Sequence, residues 1–536
     1  MSVPKVIRNF IVAVFMICTA AIIAVQTLYG TYAKQFEYNI LVNILYIAFA
    51  LASVFAYVYI RKMLRKYDLS KLKLRLIEFG FMLALIVLTR VIFGILFINP
   101  NCKIDEIVSV HKDLIGIFPI ISLMQTLVKS INNIIEIPML STYIINTIFF
   151  VGSVFAFKKI LKIIISSPVI SGIGTILFII YPKFMYYSLV INTDIIAQFF
   201  LLMVTLLIIS IIKEVKIANN KSKAYLVFSI SIGAFLAALM YINTNILIWI
   251  IFLLLLDIYI SETDYAGIKF SKKTMRKANV AKKAKLIRIQ KIKAKKILVS
   301  VVVIIISVFV FKLVFNLGLG SITNKKYFGF NPLSQSTLFG VVNEQTAREE
   351  IVNSNFKESL DKSTGKLNIG NTVNNIITLN KKGKLKEASK LSSRLTKSVL
   401  KKQKINEKVS NFAEKNMDIV KTDVNTKRPI YKKFNNQKIL MSLMKINNVL
   451  YKFIFVIIIL SEIVHIVVKR KRDEYSVTIR SIFIISLIGL ILFASYTCTN
   501  IDITTFAILI AVINLAGIYY NRDDKVKLLV ASKRKF

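Results

Sequence analysis

Apolar runs long enough to cross a bilayer recur along this sequence, and they constrain its fold more than any other feature. A helix needs about 20 mostly apolar residues to span the hydrocarbon core. Counting runs bounded by charge gives about twelve such segments. They fall near 7–28, 40–60, 77–98, 140–157, 164–181, 192–212, 224–243, 244–259, 297–317, 450–468, 477–495 and 502–519. Composition agrees, since 55% of the 536 residues are hydrophobic. The mean hydropathy is +0.64, whereas a soluble domain keeps enough polar surface to stay dissolved. The expected fold is all-α, a polytopic transmembrane helix bundle. The first run follows Lys5 and Arg8, and no clear small-x-small cleavage site comes after it, so it reads as an anchor.

Charge sets the orientation. There are 73 basic side chains against 28 acidic ones, a net charge of +45. In a soluble chain that excess would point to nucleic acid; in this one much of it falls in the loops, and no nucleic-acid partner is expected. Basic stretches lie at 61–75, at Lys158, Lys159 and Lys162, between Lys213 and Lys223, at 260–296, from Lys469 to Arg472, and in the tail from Arg522. These are alternate loops, and short basic loops stay cytoplasmic, so the protein is expected in the cell membrane with both termini cytoplasmic. Between Lys269 and Lys296 stand thirteen Lys or Arg and no acid, a loop suited to lie on anionic lipid.

This layout divides the chain in three. Residues 1–317 form a transmembrane region with an outer loop at 99–139 and a basic cytoplasmic loop at 260–296. An extracytoplasmic segment follows at 318–440, then C-terminal transmembrane helices and a basic tail at 441–536. Within the outer loop, Leu114 to Ile137, interrupted by Pro119, reads as one or two amphipathic helices on the membrane surface. In the outer segment Leu385, Leu391, Leu395, Val399 and Leu400 recur at partly helical spacing and predict a helix. The Ile, Lys and Asn bias suggests an AT-rich, bacterial genome.

The glycine-rich nucleotide loops, the serine-hydrolase elbow and the HExxH zinc motif are all absent, and three cysteines with two histidines make no Cys- or His-rich metal cluster. Candidate chemistry therefore rests on charged groups near the outer face. Asp105 and Glu106, adjacent carboxylates just outside the third span, suit a general base or a divalent-cation site, although acids are ordinary in exposed loops. Arg90 lies inside that span, where burying a charge costs on the order of 3 kcal/mol. Its natural partner is an anion; snorkelling to the outer interface is the plainer alternative. The connection at 181–188 brings Lys183, Tyr181, Tyr186 and Tyr187 to the same face, with Asp194 at the start of the next span. Those tyrosines also suit an interfacial belt, and the acid suits a helix N-terminus. Glu462 and His465, three apart on the tenth span, read as a satisfied helix pair.

The order of these features resembles the GT-C class of integral membrane glycosyltransferases, which includes the protein O-mannosyltransferases and aminoarabinose transferases. The resemblance covers about residues 75–260 and is carried by the Arg90 span, the Asp105-Glu106 loop and Leu140-Ser141-Thr142-Tyr143-Ile144-Ile145-Asn146. Tyr181-Pro182, Tyr186-Tyr187-Ser188, Thr193-Asp194 and Gly233-Ala234-Phe235-Leu236-Ala237-Ala238 continue it. It implies a polyprenyl-phosphate-sugar donor entering from the bilayer and transfer to a cell-envelope acceptor on the outer face. In that class an acid of the first large outer loop is the base, a role that falls here on Asp105 with Glu106 beside it. Arg90 and Lys183 then become candidates to stabilise the departing lipid phosphate, with Asp194 and Tyr187 on the substrate-binding side. The Arg-Pro common in members is replaced by Asn243-Thr244-Asn245, which keeps a catalytically inactive relative open. A polysaccharide polymerase or a lipid-linked sugar flippase also fits the span count.

Overall fold

The computed structural model describes residues 40–66, 71–97, 119–135, 138–165, 167–187, 194–217, 223–242, 280–323, 367–402, 435–467 and 504–533, with short pieces at 327, 334–335, 337–338, 363–364, 405–406 and 479. In chain order the helices are α1 (Ile40–Lys66), α2 (Lys71–Phe97), α3 (Pro119–Ile135), α4 (Pro138–Ile164), α5 (Pro168–Ile179), α6 (Pro182–Tyr187) and α7 (Asp194–Ile217). They continue with α8 (Ala224–Ile242), α9 (Val280–Thr323), α10 (Ile369–Lys381), α11 (Leu385–Lys402), α12 (Asn435–Val467) and α13 (Thr504–Lys533). Apart from helices, the described residues hold one antiparallel pair of two-residue strands, β1 (Ser363–Thr364) and β2 (Leu367–Asn368).

Among the described residues, six helices are long and apolar enough to cross a membrane, over Leu41–Leu64, Leu140–Ile164, Ile195–Glu214, Ala224–Tyr241, Lys295–Ser321 and Lys445–His465. Each coincides with an expected span, and the chain is an all-helical, multi-pass membrane protein. The expected spans at 7–28, 244–259 and, apart from Ile479, 477–495 lie outside the described residues. The remaining three take other forms. The span expected at 77–98 is α2, whose apolar stretch carries Glu78 and Arg90. That expected at 502–519 is the apolar part of α13, Thr504–Ile518.

The expectation at 164–181 needs correction, because the helix there, α5, has 12 residues. At 1.5 Å per residue it covers about 18 Å, well short of the ~30 Å hydrocarbon core. Local chemistry sets both its ends. The Ser167 side chain accepts from the Ile170 amide, and Pro168 takes the first helical position, where its missing N–H is no loss. Pro182, also without an N–H, stops α5 from running on and opens α6 instead.

Burial separates centre from rim. In α7, 72% of the apolar window is buried, against 11% in α1, so the uniformly apolar α7 forms the middle and α1 turns its surface to lipid. Around α7 pack α4, α8 and α9, while α12 and α13 pair and contact α1, α4 and α5. Close approach of α8 and α9 depends on Gly233. A Cβ there would lie 3.0 Å from the Ile304 carbonyl and 3.1 Å from the Val308 amide, so the two backbones meet where only a small residue fits.

The amphipathic helix expected within Leu114–Ile137 is α3. It buries Met124 and Val128, leaves Leu127 and Ile134 exposed, and rests on α4, α8 and α9. In the expected outer segment, the apolar stripe from Leu385 lies on α11, which folds back on α10. The turn between them uses Gly383 at φ 72°, a left-handed conformation that suits a glycine ending a helix. The side chains of Gln335 and Asn380 exchange two hydrogen bonds of 2.9 Å. Val373, Ile376, Ala388 and Leu395 belong to the same hydrophobic core as the membrane helices, and Leu385 packs with Tyr241, Leu319 and Tyr327 at the ends of α8 and α9.

Candidate functional site

Arg90 decides where to look. It is 1% exposed, in the second half of α2, and its guanidinium spans the break between α5 and α6. Because α5 stops at Ile179, that residue's carbonyl is free to accept from Arg90 Nη1 at 3.3 Å. Nη2 donates to the Phe184 carbonyl of α6 at 3.4 Å. Nη1 also reaches Thr89 Oγ1 at 3.0 Å, and that hydroxyl in turn bonds the Leu85 and Ile86 carbonyls at 2.9 Å. The guanidinium carbon sits 4.0 Å from the centre of the Phe150 ring on α4, within cation–π range. A cation near a helix C-terminus is favourable, because the last carbonyls carry partial negative charge.

The partners of Arg90 among the described residues are neutral. Among the described residues no carboxylate pairs with it, and its Nε is buried without an acceptor. Tyr143 of α4 lies within electrostatic reach of Arg90, and its hydroxyl is likewise buried without a partner. The spacing of Tyr143, Asn146 and Phe150 puts all three on one face of α4, and Asn146 is 1% exposed. Lys183 is also buried, in the first turn of α6, next to the Phe184 whose carbonyl Arg90 holds. An aromatic stack supports the junction: Phe157–Phe178 at 4.2 Å, Phe178–Phe184 at 4.9 Å and Phe150–Phe178 at 5.7 Å. Tyr181 links it to α12 by a 3.5 Å hydrogen bond to the Asn447 carbonyl.

Two of the residues expected at the site, Arg90 and Lys183, thus meet at the α5–α6 junction. Asp105 and Glu106 lie outside the described residues. Tyr187 closes α6 and Asp194 opens α7. Among the described residues no group of three or more His, Cys, Asp or Glu is placed to hold a metal ion.

Sequence reasoning passed over two features. The first is a charged cluster at the other end of α2. Glu78 pairs with Arg61 of α1 and, at 3.2 Å, with Lys158 of α4. Tyr57 joins the group, accepting from Arg61 Nη1 at 3.1 Å and donating to the Pro168 carbonyl at 3.2 Å. The available signal was a lone acid at the start of an apolar run, flanked by Lys71, Lys73 and Arg75. The second is Asn514 of α13, whose amide donates to Ser461 Oγ at 3.1 Å and to Glu462 Oε1 at 3.0 Å. His465 Nε2 stands 3.3 Å from the Asn514 backbone oxygen. Glu462 and His465 are 0% and 6% exposed, so the pair read as satisfied is held by a neighbouring helix.

In comparisons with known proteins, no family model, no curated protein and no solved structure matches this chain.

Proposed function

We propose that this chain is a membrane-embedded glycosyltransferase that moves a sugar from a polyprenyl-phosphate donor to a cell-envelope acceptor on the outer face. The observation that carries the reading is Arg90: a guanidinium buried within a membrane helix, with no acid paired to it among the described residues, an unmatched Nε donor and a second buried cation, Lys183, at the same junction. Such a site favours an anion. The neighbouring surface of α2 is apolar and open, with Val87, Leu88, Val91 and Ile92 all at least 44% exposed, so an anion carried on a lipid tail would approach along that face.

In this mechanism Asp105 removes the proton from the acceptor hydroxyl as its oxygen attacks the anomeric carbon. The bond from that carbon to the phosphate oxygen breaks, and the lipid phosphate leaves with the electron pair. Arg90 and Lys183 stabilise the charge that develops on it. The class resemblance supplies the role of Asp105; Arg90 and Lys183 are assigned from their place at the helix break.

Reconstituted protein given a polyprenyl-phosphate sugar and envelope extract tests this. The expected result is transfer that falls at least about 100-fold in Asp105→Asn and about 100-fold in Lys183→Gln. Transfer at the wild-type rate by Asp105→Asn overturns the assignment of the base, and no transfer by the wild-type protein under any donor overturns the reading. A lipid-linked sugar flippase is the second reading, favoured by the buried Glu462 and His465, since ionisable groups inside membrane helices mark ion pathways in transporters. Donor crossing sealed vesicles without sugar transfer would select it.

A further inference from the structure

Among the described residues, the Glu78 end of the bundle has an excess of positive charge that its ion pairs leave unmatched. Both oxygens of Glu78 are engaged, one by Arg61 and Tyr57 and the other by Lys158. Lys162 stands one turn beyond Lys158 on the same face of α4, within electrostatic reach of Arg61 and Arg75. Among the described residues, Arg61 and Lys158 pair with Glu78, and Lys162 and Arg75 add two more cations beside Arg61 without a pair to that carboxylate. Arg61 Nε is buried without an acceptor. The first turn of α5 opens at the same place, because Tyr57 bonds the Pro168 carbonyl. Pro168 has no amide hydrogen and the Ile170 amide is capped by Ser167, so what the α5 N-terminus adds is partial positive charge rather than a set of free donors. Cations of α1, α2 and α4, an unmatched guanidinium donor and the first turn of α5 thus lie at the same end of the bundle.

The surroundings identify the carrier of the missing anion. Phe55 and Tyr59 of α1 are 70% and 62% exposed, and Leu72 and Leu76 of α2 are 67% and 61% exposed. These apolar surfaces flank the cluster and offer a path for acyl chains. The cluster itself is reachable, with the Arg61 and Lys158 side chains 14% and 22% exposed. We infer that the Glu78 end is a seat for a phosphate group, supplied by the headgroup of an acidic phospholipid whose chains lie along α1 and α2. This inference stands apart from the proposed transferase site, which lies at the other end of α2.

The test uses the full chain in phosphatidylcholine vesicles with and without phosphatidylglycerol, reading thermal unfolding and the lipid retained after extraction. The variant is Lys162→Gln, because Lys162 is exposed and stands outside the two Glu78 ion pairs, so the fold keeps them. Lys386→Gln, on the exposed face of α11, is the charge-matched control. Phosphatidylglycerol is expected to raise the unfolding temperature of the wild-type protein, and Lys162→Gln to bind it about fivefold more weakly. Lys386→Gln should match wild type. Inorganic phosphate in neutral detergent separates the sources. If it stabilises the protein as strongly as the lipid does, the seat takes free phosphate and the lipid assignment falls; if only phosphatidylglycerol acts, the headgroup is the ligand. Equal response of Lys162→Gln and wild type, or no response to either phosphate source, overturns the seat.

Discussion

Glu78 and Arg90 are charges on the same helix, 90 − 78 = 12 residues apart, or about 18 Å along its axis, and the bundle handles them in opposite ways. Glu78 is met by charge, from Arg61 and Lys158. Arg90 is met by two backbone carbonyls, one hydroxyl and the face of an aromatic ring. The exposures explain the difference. The side chains of the Glu78 cluster are 12% to 22% exposed, so water shares the cost of holding three charges together. At Arg90 that help is lost, and an ion pair there would require desolvating a carboxylate as well. Fixed dipoles and a π face hold the cation without neutralising it. On the two proposals made above, the Arg90 end therefore offers an uncompensated cation, while the Glu78 end first satisfies its own acid.

The largest expected effect comes from removing the buried cation. Arg90→Met leaves the Ile179 and Phe184 carbonyls without their donor and separates α5 from α6, with an expected loss of about 3 kcal/mol in stability. Arg90→Lys should recover part of it, because a lysine supplies the charge but not the fork that reaches two carbonyls at once. Thermal unfolding in detergent measures both. A stable Arg90→Met protein would mean that the junction holds without its cation, and the contrast with Glu78 would lose its basis.

Next is a steric test of the Glu78 end. Gly172 of α5 receives the Tyr57 phenol so closely that any Cβ would overlap it. Gly172→Ala should push Tyr57 off the Pro168 carbonyl and away from Arg61, at about 2 kcal/mol. In a Tyr57→Ala background, itself destabilised by the cavity it leaves, Gly172→Ala should add little further cost. An undiminished cost there would place the damage in α5 rather than in the phenol's seat.

Glu78→Gln is expected to cost less, about 1 kcal/mol, because the partly exposed Arg61 and Lys158 can turn to water. The informative variable is salt. High ionic strength screens partly exposed charges and leaves buried ones alone, so the Glu78→Gln loss should shrink in concentrated NaCl while the Arg90→Met loss stays the same. Equal salt sensitivity at the two sites would refute the proposed division between wet and dry ends.

Much of this was legible in the sequence, and what was missed has physical causes. Apolar run length revealed the six membrane helices, and the cost of an intramembrane charge singled out Arg90. Run length also misled at 164–181, because hydropathy is blind to the Ser167-Pro168 and Pro182 signals that trim α5 to 12 residues. The α11 helix was visible as a stripe from Leu385, but its packing into the membrane core was not, since the stripe shows which face is apolar and not what covers it. Charge partners were the least legible. Glu78 meets Lys158 across 80 residues, and Asn514 meets Glu462 across 52. Spacing along one helix says nothing about a neighbour contributed by another. Asp105 and Glu106, the acids on which the transferase reading depends, fall outside the described residues.

Asn514 offers the finest test, because it is intermediate between the two ends. There an acid is buried as deeply as Arg90, yet a neutral amide from another helix serves it. Hydrogen bonds between membrane helices are worth on average about 0.6 kcal/mol, because a chain unfolded within lipid also finds partners. Asn514→Ala should therefore cost close to that value, and the Ser461→Ala background should reduce its effect, since one of the two amide bonds ends on Ser461. A double-mutant cycle by thermal unfolding gives the coupling. A small value means that Glu462 is held mainly by other neighbours, and that burial depth alone does not make a polar group costly to disturb. A loss as large as that of Arg90→Met would show instead that the amide stabilises a charged Glu462, and the contrast would then depend on charge sign and partner rather than on depth.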